Sequence, residues 1–199
     1  MIGGGKMGEE VIGDPGKFAG ASEHSQQVAL FAAVAQYAFS FRKEGEDLQL
    51  GSLFPNNLLE WWEKNGKSPI VDAQVMFDAG QRLVDIAEAL EWFHAIPNGG
   101  TRGSDKRSAM IAGANMKAEG AKPGVSDTCL PYAAHGYHGF YIEMKAPGKL
   151  KGESDDQKRY GAYLAKRGYL YAVFDSWHAA LKALMWYLGF EHSKEWVLP

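Results

Sequence analysis

Three short apolar runs, GVSDTCLP (124–131), GFYIEMKA (139–146) and GYLYAVFD (168–175), read as strands in a chain otherwise patterned for helices. Strands need paired neighbours and a cover for each buried face, so they restrict the architecture more than any helix does. YAAHGYH (132–138) is short enough to join the first two as a hairpin, centred near Ala134 to Gly136. A polar helix over about 153–167 separates the second from the third, and WFHAIP (92–97) supplies a further short strand.

Helices surround these runs. Ser22 is a good N-cap, and Gln27, Leu30, Phe31, Val34, Ala35 and Ala38 recur at helical spacing, which predicts a helix over 23–40 with Glu23 in its first turn. Residues 42–91 contain Gly45, Gly51, Pro55, Gly66 and Pro69 as breaks between helix-like stretches and read as an inserted helical segment. Ser104 can cap a helix that Gly120 ends. Ser176 can cap a last helix presenting Trp177, Leu181, Leu184, Met185 and Leu188 on one face. The resulting fold class is an α/β sandwich around a small mixed sheet, with a flexible lead-in over 1–21 and one domain over 22–199.

The single cysteine, Cys129, suits a reducing compartment. The N-terminal stretch lacks the apolar core of a signal peptide, and no run approaches a membrane span, so the expected location is cytoplasmic, with no membrane partner. A formal charge of -3 argues at first against nucleic acid, but its distribution reverses that impression. Residues 101–170 hold twelve Lys and Arg against seven Asp and Glu, whereas 43–91 hold four against ten. A basic half that can face phosphate is joined to an acidic segment that cannot.

The chemistry lies in GVSD, the hairpin and YIEMK. Side chains alternate along a strand, so Glu143 and Lys145 point to one side while Met144 turns into the core. A buried strand tolerates two charges only when they are paired or ligated. The hairpin brings Asp127 beside Glu143, and two carboxylates there form a hard-oxygen site for Mg²⁺ or Mn²⁺. Phosphodiester hydrolysis needs an activated water and charge neutralisation at the phosphoryl oxygens, which such a site can provide. Lys145 can orient the water or stabilise developing negative charge; whether it is itself the base is left open. The plain alternative is a cross-strand salt bridge with Asp127 as an ordinary turn residue.

The stretches AIPNGGTRGS, MKAEGAKPGVSDTCLP, GYHGFYIEMKAPGKL and DDQKRYGAYLAKRGY, with SEHSQQVALF upstream, resemble the virus-type replication-repair nuclease (VRR-NUC) domain of the PD-(D/E)xK nuclease superfamily. The resemblance covers about 22–40 and 92–190. It implies a restriction-endonuclease-like fold and a metal held by Glu23, Asp127, Glu143 and the backbone carbonyl of Met144, with Lys145 catalytic. Gln157 matches the polar residue that the family carries on the helix after the catalytic strand. Ser126 and Tyr160 stand where relatives often have Pro and Trp. The implied activity is structure-selective endonucleolytic cleavage of branched DNA such as four-way junctions, in DNA repair within a bacterial or phage-infected cell. Stand-alone relatives resemble symmetric dimers, so a homodimer is expected. Alternatives are a monomeric flap-directed or end-directed nuclease and a non-catalytic DNA-binding subunit.

Asn98 and Arg102 in the PNGGTRGS loop, with Lys149, Lys151 and Lys158 after the catalytic strand, are candidate DNA contacts, against readings as turn chemistry and surface solubility. His135 and His138 lack the third ligand that zinc requires. The Trp61, Trp62 pair reads as core packing, and the apolar residues of 42–91 as a surface that either builds or blocks a dimer.

Overall fold

The computed structural model describes residues 15–53, 69–97 and 106–190. Its elements are α1 (Pro15–Phe18), α2 (Glu23–Leu53), α3 (Pro69–Glu91), β1 (His94–Ala95), α4 (Lys106–Ala118), β2 (Thr128–Leu130), β3 (Phe140–Met144), α5 (Asp155–Lys166), β4 (Leu170–Phe174) and α6 (Trp177–Tyr187). The lead-in up to residue 14, the PNGGTRGS loop beyond Pro97 and the Trp61, Trp62 pair lie outside the described residues. The chain divides into two compact units. One is drawn from the residues up to Ala19 together with Val28–Glu91, the other from Gly20–Gln27 together with the residues from Trp92 onward.

The second unit is the expected α/β arrangement. Its sheet has the order β1-β2-β3-β4, with β1 and β3 antiparallel to β2 and with β4 parallel to β3. An antiparallel pair can be closed by a tight turn, whereas a parallel pair needs a crossover, which α5 supplies between β3 and β4. The hairpin turns at an Ala134–Tyr137 bridge, where His135 and Gly136 have φ of 51° and 81°. Two successive left-handed residues give the backbone twist that a two-residue hairpin loop requires. WFHAIP contributes a shorter strand than expected, but Ile96 N–H still donates to the Asp127 carbonyl at 2.7 Å.

Alternation along β3 gives the sheet two different faces. Phe140, Ile142 and Met144 are buried, and the Phe140 ring lies 5.2 Å from that of Tyr187 on α6. Trp177, Leu181, Leu184 and Leu188 are buried as the helical spacing predicts, while Met185 is half-buried. Ser176 occupies the N-cap position of α6, but its side chain makes no capping bond. The longer Gln26 side chain supplies the acceptor instead: Trp177 N–H donates to Gln26 Oε1 at 3.0 Å, and Gln26 Nε2 donates to the Gly20 carbonyl at 2.6 Å. This buried amide ties the head of α2 to the start of α6.

Glu23 opens α2 as expected, and Ser22 caps it, accepting from Ser25 N–H at 3.0 Å through its hydroxyl. The helix does not stop near residue 40 but continues to Leu53, so Gly45 is not a break. In the first unit, a Cβ on Gly45 would meet the Gly80 carbonyl oxygen at 2.6 Å, and one on Gly80 would meet that of Gly45 at 2.6 Å. Gly45 therefore permits α2 and α3 to touch backbone to backbone. Arg42 pairs with Glu91 at 2.7 Å and Gln49 bonds Gln81 at 2.9 Å, so the helices run antiparallel. Ile86 and Leu90 are buried in this unit, whereas Phe77 is exposed. Among the described residues, no helix is long and apolar enough to cross a membrane.

Candidate active site

The β2–β3 register pairs Thr128 with Ile142, which sets Asp127 opposite Glu143 just before β2 begins. Asp127 Oδ2 accepts the Met144 backbone N–H at 2.8 Å, locking the carboxylate against the strand that carries Glu143. Lys145 follows β3 and is anchored through its own N–H to the Phe174 carbonyl at 2.7 Å. Glu143 and Lys145 project to the same side, as alternation requires, and Lys145 Nζ donates to Glu143 Oε1 at 2.7 Å. Both are buried, with Glu143 only 1% exposed. This excludes the reading of a solvent-facing cross-strand salt bridge.

Gln157 joins them from α5. It stands at the third helical position of a capping box, donating its N–H to Ser154 Oγ and accepting Ser154 N–H on its own Oε1 at 2.9 Å. The same Oε1 accepts Lys145 Nζ at 3.2 Å, and Gln157 Nε2 donates to Glu143 Oε1. Two donors thus converge on Oε1 of Glu143. Its other oxygen, Oε2, is buried with no hydrogen-bond partner among the described residues.

Burial pushes the Glu143 carboxyl up to about 7; Lys145 opposes the shift, while Asp127 and Glu23 add to it. The Glu23 carboxyl is raised by partial burial, lowered by Lys145 and raised by Asp127, although its side chain reaches solvent. These mutual effects place Glu23 within electrostatic reach of the same cluster. Four of the sequence-derived residues, Asp127, Glu143, Lys145 and Gln157, therefore form one connected group with Glu23 at its edge.

Among the described residues, no three His, Cys, Asp or Glu side chains form a ready-made metal cage. The donor set instead fits a small hard cation held by one or two carboxylates, with water and phosphate oxygens completing its shell, as is usual for Mg²⁺. The unpartnered Oε2 of Glu143 and the adjacent Asp127 carboxylate are the oxygens such an ion requires. The Met144 carbonyl and Glu23 stand next to that pair in the chain and in the electrostatics, respectively.

The other candidates are distributed differently. Lys149 and Lys151 are exposed in the segment after β3. Lys158 is exposed on α5 and lies 3.5 Å from Asp155. Asn98 and Arg102 lie outside the described residues. His135 stacks on Trp186 with ring centroids 4.7 Å apart, whereas His138 meets Tyr169 edge-on, so the two histidines serve separate contacts. Cys129 is buried, and burial pushes its thiol up, away from the thiolate that a nucleophile needs.

Sequence reading missed Gln26 and Ser154. The Ser-x-x-Gln spacing of the capping box was available as a signal for Ser154. Gln26 carries no local signal, because its partner Trp177 is 151 residues away.

The chain matches no protein-family model and no curated protein. Among solved structures, one described as a "VRR_NUC domain protein" matches at 26% identity over 51% of this chain and 72% of its own, with a TM-score of 0.40.

Proposed function

We propose that this chain is a divalent-metal-dependent deoxyribonuclease that hydrolyses phosphodiester bonds within DNA. The observation that carries the reading is the buried Glu143 carboxylate, held on one oxygen by Lys145 and Gln157 and unpartnered on the other, beside Asp127. A buried carboxylate oxygen left without a partner is costly, and a bound cation removes that cost. Mg²⁺ or Mn²⁺ there supplies charge neutralisation at the phosphoryl oxygens and a more acidic water.

The chain's own groups do the rest. Asp127 and Glu143 hold the ion, Glu23 adds negative charge at its edge, and the Met144 carbonyl is a further oxygen donor. Lys145 presents an ammonium where charge develops on the phosphate, and Gln157 fixes both Glu143 and Lys145 in place. Lys149, Lys151 and Lys158 offer exposed cations to the flanking backbone, and Asn98 and Arg102 are further DNA contacts proposed from the sequence alone. The sequence resemblance supports the same chemistry. It extends the proposal to branched DNA such as four-way junctions, cut by a symmetric pair of chains in the cytoplasm.

The test is purified protein with Mg²⁺, Mn²⁺ or EDTA on plasmid DNA and on matched junction, flap, nicked and linear duplexes. Metal-dependent internal cleavage, absent from Glu143→Gln, is the expected result. A protein that cuts none of these with either metal, or a Glu143→Gln variant as active as the parent, overturns the proposal. Equal rates on junction and linear DNA overturn only the preference for branches.

A further inference from the structure

The side of β3 that carries Glu143 continues into an aromatic surface that the proposed chemistry does not use. Tyr141 stands two residues before Glu143 and so projects to the same side. Its ring meets Tyr169 and Tyr160 edge-on, at 5.5 Å and 6.2 Å. Tyr160 in turn stacks on Tyr163, with centroids 6.5 Å apart and planes inclined by 23°. The guanidinium of Arg167 lies over the Tyr163 ring, 5.5 Å from its centre, so a base that stacks here shares or displaces that long side chain. Tyr160, Tyr163 and Arg167 follow one another at spacings of three and four, the row that begins one turn after Gln157 on α5.

Packing accounts for the inner rings and not for the outer one. Tyr141 and Tyr160 are half-buried, whereas Tyr163 is 55% exposed. From Gln157 to Phe174 the chain carries Lys158, Arg159, Lys166 and Arg167 and no Asp or Glu. Lys158 and Arg159 are met by Asp155 and Asp156 at 3.5 Å and 3.1 Å. Among the described residues, Lys166 and Arg167 have no such ion pair, so the unbalanced positive charge lies beside the exposed ring.

A cationic patch alone suits any phosphate backbone, but a flat ring next to it favours a base whose face is open. Bases in a duplex are stacked on both faces; bases at a gap, flap or branch are not. Along α5 the six residue steps from Gln157 to Tyr163 span about 9 Å. Gln157 holds Glu143, so the ring and the carboxylate lie within reach of one short stretch of strand. We infer that Tyr163, flanked by Arg167 and Lys166, is the stacking seat for an unpaired base of a DNA strand whose phosphate, close by along the same strand, lies at Glu143. The inference rests on the proposed nuclease reading and deepens it by naming the substrate feature the site grips.

Fluorescence anisotropy in EDTA, where no cleavage occurs, measures binding of the full chain to a single-stranded 15-mer and to a blunt duplex of the same length. Tyr163→Leu should weaken single-strand binding about fivefold or more and leave duplex binding within twofold, while Tyr163→Phe and Tyr163→Trp retain it. With 5-iodouracil in the strand, photocross-linking should map to Tyr163 in the parent protein. Circular dichroism and thermal melting of Tyr163→Leu should match the parent, because the ring is largely exposed. Equal single-strand affinity in Tyr163→Leu, or equal losses on single strand and duplex, overturns the inference even if cleavage is intact. A parent protein that neither binds nor cuts DNA overturns the nuclease reading together with it.

Discussion

Gln157 donates its side-chain amide to the same oxygen of Glu143 that Lys145 holds, so all polar support for this carboxylate lies on one side. The amide is also the third-position member of the capping box that starts α5. One side chain thus begins a helix and orients two charged groups, and its two tasks can be separated by mutation.

Ser154→Ala removes the capping acceptor alone. It should lower stability by about 1 kcal/mol, a melting shift of about 2–4 °C for a chain of this size, with kcat near that of the parent. Gln157→Ala should lose similar stability and also about 10- to 100-fold in metal-dependent cleavage. Gln157→Glu keeps a capping acceptor but sets a second carboxylate against Glu143, and should be as inactive as the alanine variant. Parallel kcat values for Ser154→Ala and Gln157→Ala would show that Gln157 acts only through the helix.

Asp127→Ala and Glu143→Ala should each reduce cleavage by roughly 10²- to 10³-fold or more without unfolding the chain. Lys145→Ala should lose turnover while DNA affinity stays within a few-fold. A Lys145→Ala variant with normal kcat and a raised KM would move the residue from the chemistry to binding.

The Glu143 carboxyl, raised by burial from 4.5 to about 7, makes metal-free stability depend on pH. The folded chain holds this proton more tightly than the unfolded chain does. The resulting stabilisation is complete below about pH 4.5 and is lost as pH rises through about 7. Its full size is on the order of 3 kcal/mol, with Lys145 opposing and Asp127 and Glu23 reinforcing. In EDTA, the melting temperature of the parent minus that of Glu143→Gln should therefore fall from pH 5.5 to 8.5. Added Mg²⁺ should stabilise the parent more at pH 8 than at pH 6, because it competes with the proton. A difference between parent and Glu143→Gln that is flat with pH would mean that Glu143 titrates normally.

Asp127, Glu143 and Lys145 were legible in sequence because strand alternation and a short hairpin are local rules, whereas Gln157 and Glu23 were named for the site only through the family resemblance. Alternation put Glu143 with Lys145, and the hairpin put Asp127 opposite Glu143. Residues whose partners are distant in sequence were not legible. Gln26 takes over the capping role that local pattern assigned to Ser176, because only the tertiary fold of the second unit brings the first turn of α2 to the start of α6. Gly45 looked like a helix stop because its partner, Gly80, lies on another helix. The orphaned Oε2 of Glu143 depends on where every neighbouring donor ends up, which no sequence window contains.

Glu23 has an explanation that needs no metal, since a carboxylate in the first turn of a helix is favoured by the helix dipole. If it serves the ion as well, Glu23→Gln should raise the Mg²⁺ concentration for half-maximal rate severalfold while shifting the melting temperature by no more than about 2 °C. An unchanged Mg²⁺ dependence would leave Glu23 as a helix-dipole residue only.

The same substitution should have opposite signs at two helical glycines. Alanine is favoured over glycine in a helix interior by about 1 kcal/mol, and Gly113 on α4 has nothing within 4 Å of where a Cβ would stand. Gly113→Ala should therefore raise stability by about 0.5–1 kcal/mol. At Gly45 the same methyl would stand 2.6 Å from the Gly80 carbonyl oxygen and 2.9 Å from Val84 Cγ2. The carbonyl belongs to a helical backbone and cannot swing aside as a side chain could, so α2 and α3 would have to separate. Separation opens gaps around buried neighbours and should cost about 1–3 kcal/mol, more than the gain in helix propensity. Gly45→Ala should thus lower the melting temperature while Gly113→Ala raises it, and Gly80→Ala should repeat the Gly45 result. Equal stabilisation by alanine at Gly45 and Gly113 would show that α2 and α3 do not meet backbone to backbone in solution.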